Sequence, residues 1–133
     1  MGPEFLFHGT GIVIKGKYLL PKTPSDKSYT ENYQNAVYAT DRKDIAIGMA
    51  LTTEKYTTTF GDYRKKPFKV IFLRGKPKKQ YVYVYKIKSK NFIKQTNIPH
   101  QWVSKVPVKI ISKERYLVKN LNAYWRKADQ WEK

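Results

Sequence analysis

The chain contains no cysteine. Disulfides, thiolate nucleophiles and cysteine-ligated zinc are therefore excluded together. Imidazole is nearly as scarce: His8 and His100 are the only histidines in 133 residues, so no metal is expected. No apolar run approaches the roughly 20 residues needed to span a bilayer, and no membrane partner is expected. Neither phosphate-cradling glycine loop of the familiar kinds occurs, and no G-x-S-x-G elbow is present to raise a serine nucleophile. Carboxylates number 10 and do not form the pairs that a glycosidase or a two-metal nuclease needs. The opening Met-Gly-Pro-Glu-Phe lacks the basic and apolar regions of a signal peptide. Residues 1–4 read as an expression-tag remnant, residues 5–133 as one domain, and the cytoplasm as the expected location.

What is present in excess is positive charge. The chain carries 27 Lys and Arg against 10 Asp and Glu, a net charge of +17. From Asp62 to Glu114 no acidic residue intervenes, while 15 lysines and arginines do. Such a block attracts polyanions by counterion release, with salt-sensitive affinity, so RNA or DNA is an expected partner. Lysine outnumbers arginine 22 to 5. Arginine is the better reader of phosphate and guanine, and a lysine surface implies diffuse attraction more than base recognition; an AT-rich coding sequence would also produce it. Hydrophobics at 41% and aromatics at 15% exclude disorder despite the charge.

The periodicity is mostly that of strands. Glu4 to Gly11 reads as a short strand and turn. Residues 22 to 35 are polar and turn-forming, with Tyr29 and Tyr33 embedded. Ala36 to Ala39 reads as a buried strand. Thr40 or Asp41 fits the N-cap of a following helix to Leu51, with Asp44 in the capping-box position. Phe68 to Leu73 and Gln80 to Lys88 read as a hairpin across a Gly-Pro turn at Arg74 to Lys79. On its second strand Tyr81, Tyr83 and Tyr85 share a face opposite Val82, Val84 and Lys86, either packed on Trp125 and Trp131 or free to stack on bases. At least one more strand falls within Phe92 to Ser112. The end of the chain reads as a helix striped by Leu121, Tyr124, Trp125 and Ala128. The fold class expected is α+β with few helices.

His8 admits two readings, a half-buried turn residue or a ligand anchor. The order of segments bears on the choice. An aliphatic strand ends in His8-Gly9-Thr10; Tyr18-Leu19-Leu20-Pro21 and a polar loop follow; then Val37-Tyr38-Ala39-Thr40 leads into a helix. This order resembles the ADP-ribosyltransferase superfamily, the fold of diphtheria-toxin-type transferases and poly(ADP-ribose) polymerases. It is also similar to the RNA 2′-phosphotransferases. The motifs cover residues 5 to 51, and residues 68 to 112 match as a strand pattern.

The resemblance implies a split, strand-rich domain that uses NAD as a substrate and transfers ADP-ribose to a protein or nucleic acid. It would make His8 the hydrogen-bonding partner of the adenosine-side ribose. Gly9 would let backbone approach the nicotinamide amide, with Thr10 in support. Tyr38, with Thr40 beside it, would stack on the nicotinamide, although a strict alignment puts Val37 there. Most members place a glutamate on a later strand to stabilise the cationic sugar. The best positional match here is Gln101, with Glu114 as the fallback, so slow or redirected catalysis is implied. The phosphotransferase branch would need phosphate-binding arginines, of which Arg42 is the nearest candidate. The alternative is a non-catalytic nucleic-acid-binding module using Lys76, Lys78, Lys79, Lys86 and Lys88 around the tyrosine face.

Overall fold

In the computed structural model, residues 2–22, 35–53 and 57–132 are described. The segment bearing Tyr29 and Tyr33 lies outside them. Among the described residues the chain is strand-rich, with a single α-helix, an α+β arrangement as the periodicity implied. The strands are β1 (Phe5–Thr10), β2 (Tyr18–Leu19), β3 (Val37–Thr40), β4 (Thr58–Asp62) and β5 (Lys69–Arg74). After them come β6 (Tyr81–Lys88), β7 (Ile93–Lys94), β8 (Gln101–Ser104), β9 (Val108–Leu117) and β10 (Trp125–Lys127). The helix α1 spans Lys43–Leu51. Seven strands form one sheet in the order β2-β9-β6-β1-β3-β8-β7, and three form another in the order β10-β5-β4.

The large sheet is apolar on both faces, and its alternation divides the core in two. On β6, Val82 and Val84 join Ile45, Ala46, Leu51, Phe68 and Phe72 in a cluster beneath α1 and the small sheet. Tyr85 and Ile87 point the other way, into a cluster with Leu6, Leu19, Val37 and Ala39. Side chains as fully buried as Leu6 and Phe68, at 0% exposure, each contribute about 1.5–3 kcal/mol of transfer free energy. Of the tyrosine face of β6, Tyr85 and Tyr83 therefore belong to the second cluster. Trp125 packs elsewhere, edge-on to Phe72 with ring centroids 5.5 Å apart, and Trp131 is exposed.

Three sequence expectations are corrected. Phe68 to Leu73 and Gln80 to Lys88 are not a hairpin: β5 and β6 belong to different sheets, so the Gly-Pro segment is a crossover between layers. Among the described residues no C-terminal α-helix forms. Two short 3-10 turns, Val118–Asn120 and Asn122–Tyr124, lead instead into β10, which pairs in parallel with β5. The backbone groups on the open edge of β5 supply the reason, since an unpaired sheet edge gains a ladder of hydrogen bonds from an added strand. The Ala128 N–H donating to the Phe72 carbonyl at 2.9 Å ends that ladder. Finally, the N-cap of α1 is Arg42, with no side-chain cap bond. Asp44 is used differently: its carboxylate receives the Phe68 N–H at 2.7 Å, the Ile45 N–H and the Arg42 guanidinium.

Candidate functional site

A cleft of about 660 Å³ opens between the exposed end of β3 and β8, helix α1 and the small sheet. That volume lies within the range of small-molecule sites. Phe60 and Gly61 of β4, Phe68, Val70 of β5, and Ile45, Ala46 and Met49 of α1 form its apolar wall. Strand pairing assembles the polar side. Phe7 of β1 pairs with Thr40 of β3, and Thr40 pairs in turn with Gln101 of β8. His8, Gly9, Tyr38, Thr40 and Gln101, from three separate places in the sequence, all line this one cleft.

Local structure explains most of the individual positions. Alternation on β3 sends Val37 into the second core cluster and leaves Tyr38 on the cleft. The His8 Nδ1–H donates to the Tyr38 carbonyl at 2.6 Å, fixing the tautomer so that Nε2 carries the lone pair. Burial holds the His8 imidazole below its usual pKa. The Tyr38 hydrogen bond opposes that shift and nearby Lys22 reinforces it. The ring is therefore neutral at physiological pH, an acceptor with one free nitrogen.

Gly9 has a packing reason of its own. A Cβ built there would stand 1.8 Å from the Ala46 carbonyl oxygen of α1, so only glycine lets the helix lie this close to β1. Thr10 is not on the cleft wall; it is buried, and its hydroxyl accepts the Ile12 N–H at 3.1 Å, closing the turn after β1. The Thr40 hydroxyl likewise accepts the Arg42 N–H at 3.2 Å and still lines the cleft. Arg42 is committed to Asp44 and to the Tyr63 and Lys65 carbonyls. Glu114 does not line the cleft; it pairs with Lys43 at 2.6 Å and accepts from the Tyr116 hydroxyl, both of which keep its carboxyl below the usual range.

The basic residues are dispersed. Lys76 and Lys79 line a second hollow of about 670 Å³ together with Lys119, Tyr81 and Trp125. Lys86 lies over the Phe5 ring at 4.2 Å. Lys79 precedes β6 and Lys88 ends it, so the two stand roughly 25 Å or more apart at the usual strand rise. Lys78 and Lys88 are exposed. Arg115, not marked by the sequence pattern, sits 4.4 Å above the Tyr81 ring.

The chain matches no protein-family model, no curated protein and no solved structure.

Sequence reasoning missed the residue beside Gln101. His100 also lines the cleft, so both histidines of the chain face it. The turn from Ile98 to Gln101 is closed by the Gln101 N–H donating to the Ile98 carbonyl at 3.4 Å. His100 occupies its third position at φ 60, where glycine or asparagine is favoured. A side chain kept in that conformation costs about 1–2 kcal/mol. Its Nδ1 lies 2.8 Å from one Asp41 oxygen, and the other receives the Trp102 Nε1–H at 3.0 Å. Scarcity was the available signal, because two histidines in a cysteine-free chain are the natural places to look for acid–base chemistry.

Among the described residues the cleft wall holds two imidazoles, hydroxyls, amides and aromatic rings, and no charged side chain. Such a wall suits an uncharged, hydroxyl-rich and aromatic ligand portion. Among the described residues no group of three or more potential metal ligands occurs, and no helix is long and apolar enough to cross a membrane.

Proposed function

We propose that the cleft binds NAD and that the protein transfers ADP-ribose to a macromolecular acceptor, protein or nucleic acid, in the manner of an ADP-ribosyltransferase. One observation carries this reading: His8, Tyr38 and Thr40, which the resemblance implies for nucleotide binding, and Gln101, which it implies at the catalytic position, line a single cleft. In this account Nε2 of neutral His8 accepts a hydrogen bond from a ribose hydroxyl, and Tyr38 provides an aromatic face for the nicotinamide ring. Gln101 donates or accepts a hydrogen bond at the second ribose. It supplies no negative charge to the oxocarbenium-like transition state, so the reaction is expected to be slower than with a glutamate.

A thermal-shift titration tests the reading. NAD should raise the unfolding midpoint of the wild type in a saturable way, because a ligand that binds only the native state stabilises it by mass action. His8→Ala should remain folded and lose that shift. No shift in the wild type at millimolar NAD, or an undiminished shift in His8→Ala, would refute it.

A further inference from the structure

The transfer reaction needs a base for the acceptor, and the cleft wall contains no carboxylate among the described residues. Two imidazoles are left. His8 is a poor base, since burial disfavours its protonated form. His100 is held by a carboxylate instead. Its Nδ1 is held by the Asp41 carboxylate at 2.8 Å, and Nε2 has no hydrogen-bond partner among the described residues. Asp41 is itself held by the Trp102 indole N–H at 3.0 Å. A carboxylate accepting from Nδ1–H fixes the tautomer that leaves the Nε2 lone pair free to accept a proton. His100 is also kept at φ 60, and a backbone outlier at a cleft wall is a reasonable pointer to function.

We infer that His100, oriented by Asp41, is the general base that activates the acceptor nucleophile. This inference rests on the ADP-ribosyl reading above. The glycosidic bond between C1′ and the nicotinamide nitrogen breaks, and nicotinamide leaves as a neutral base with the bonding electron pair. An oxygen or nitrogen of the acceptor forms the new bond to C1′. Its proton passes to His100 Nε2 and then to solvent. The charge of the departing proton replaces the positive charge lost from the nicotinamide, so the step balances. In this division of labour Gln101 orients the sugar, and the adjacent His100 supplies the basicity that a glutamine lacks.

The test uses NAD with water as the acceptor, reading nicotinamide release under single-turnover conditions and NAD affinity by calorimetry. His100→Gly is the preferred variant, because glycine adopts a positive φ without strain; His100→Gln is the second. Both should bind NAD within twofold of the wild type and release nicotinamide about 10²–10⁴-fold more slowly, the usual worth of a positioned base. Added imidazole should restore part of the rate to His100→Gly. Asp41→Asn should slow release without weakening NAD binding. Release at the wild-type rate from both His100 variants would overturn the assignment, as would a slow His100→Gly that has also lost NAD. A wild type that binds NAD but never releases nicotinamide would overturn it while leaving the nucleotide reading intact. A wild type that does not bind NAD would remove both.

Discussion

Gly9 shows how a residue can carry a motif and a packing constraint at once. Its absent side chain is required by the Ala46 carbonyl of α1, whatever the cleft binds. Gly9→Ala should therefore destabilise the fold by about 1–3 kcal/mol or more, the range for overpacking. Thermal unfolding should show a midpoint several degrees lower even without ligand, and an unchanged midpoint would mean that α1 can move aside. His8 makes a prediction about pH. Its folded pKa lies below the unfolded value of 6.5, so the unfolded chain binds more protons as pH falls below about 6.5. Stability is full above that value and declines as pH drops toward the folded pKa. Replacing His8 with Asn should flatten this part of the stability–pH curve measured by urea unfolding, and an identical slope would count against the neutral, buried imidazole. Gln101→Glu should speed nicotinamide release from NAD, each tenfold gain being about 1.4 kcal/mol from the barrier. A folded, NAD-binding mutant with no gain would mean that Gln101 does not face the reacting sugar.

Among the elements, α1 depends on Asp44 more than on a cap. Burial alone would raise the Asp44 carboxyl, but the Arg42 guanidinium and the Phe68 and Ile45 N–H groups outweigh it and hold it below its usual range. Through these bonds the first turn of α1 is tied to the start of β5, and so to the far wall of the cleft. Asp44→Asn should cost about 1–3 kcal/mol, the range for weakening a hydrogen bond to a charged group, read as a shift in urea midpoint at pH 7. A shift within error would show that the Arg42 and Phe68 contacts are dispensable. The helix itself was legible in the sequence because Ile45, Ala46, Met49 and Ala50 recur at helical spacing. The use of Asp44 was not, because its partner Phe68 lies 24 residues away and local rules see only the capping position. The C-terminal segment misled for a related reason. Its apolar stripe fits a helix, whereas the open edge of β5 that captured it as β10 is a property of the tertiary structure.

At the scale of the molecule, the sequence order located the polar side of the cleft, because β1 and β3 carry their motifs on consecutive segments and pair directly. The part of the apolar wall contributed by the small sheet was illegible, since β5 was read as a hairpin with β6 and β10 as part of a helix. The Asp41–His100 contact spans 59 residues and could emerge only once β3 and β8 were paired. The positive charge, prominent in composition, resolves into separate places on the surface, with Lys76 and Lys79 at one hollow and Lys86 on Phe5. That distribution suits a diffuse attraction for a polyanionic acceptor better than a single reading surface. The central claim is that the cleft between β3, β8 and α1 is a nucleotide site, and a crystal grown with NAD tests it most directly. One NAD should occupy this cleft, with a ribose hydroxyl within hydrogen-bond distance of His8 Nε2 and the nicotinamide ring against Tyr38. An empty cleft at saturating NAD, or NAD bound only at the lysine-lined hollow, would contradict it.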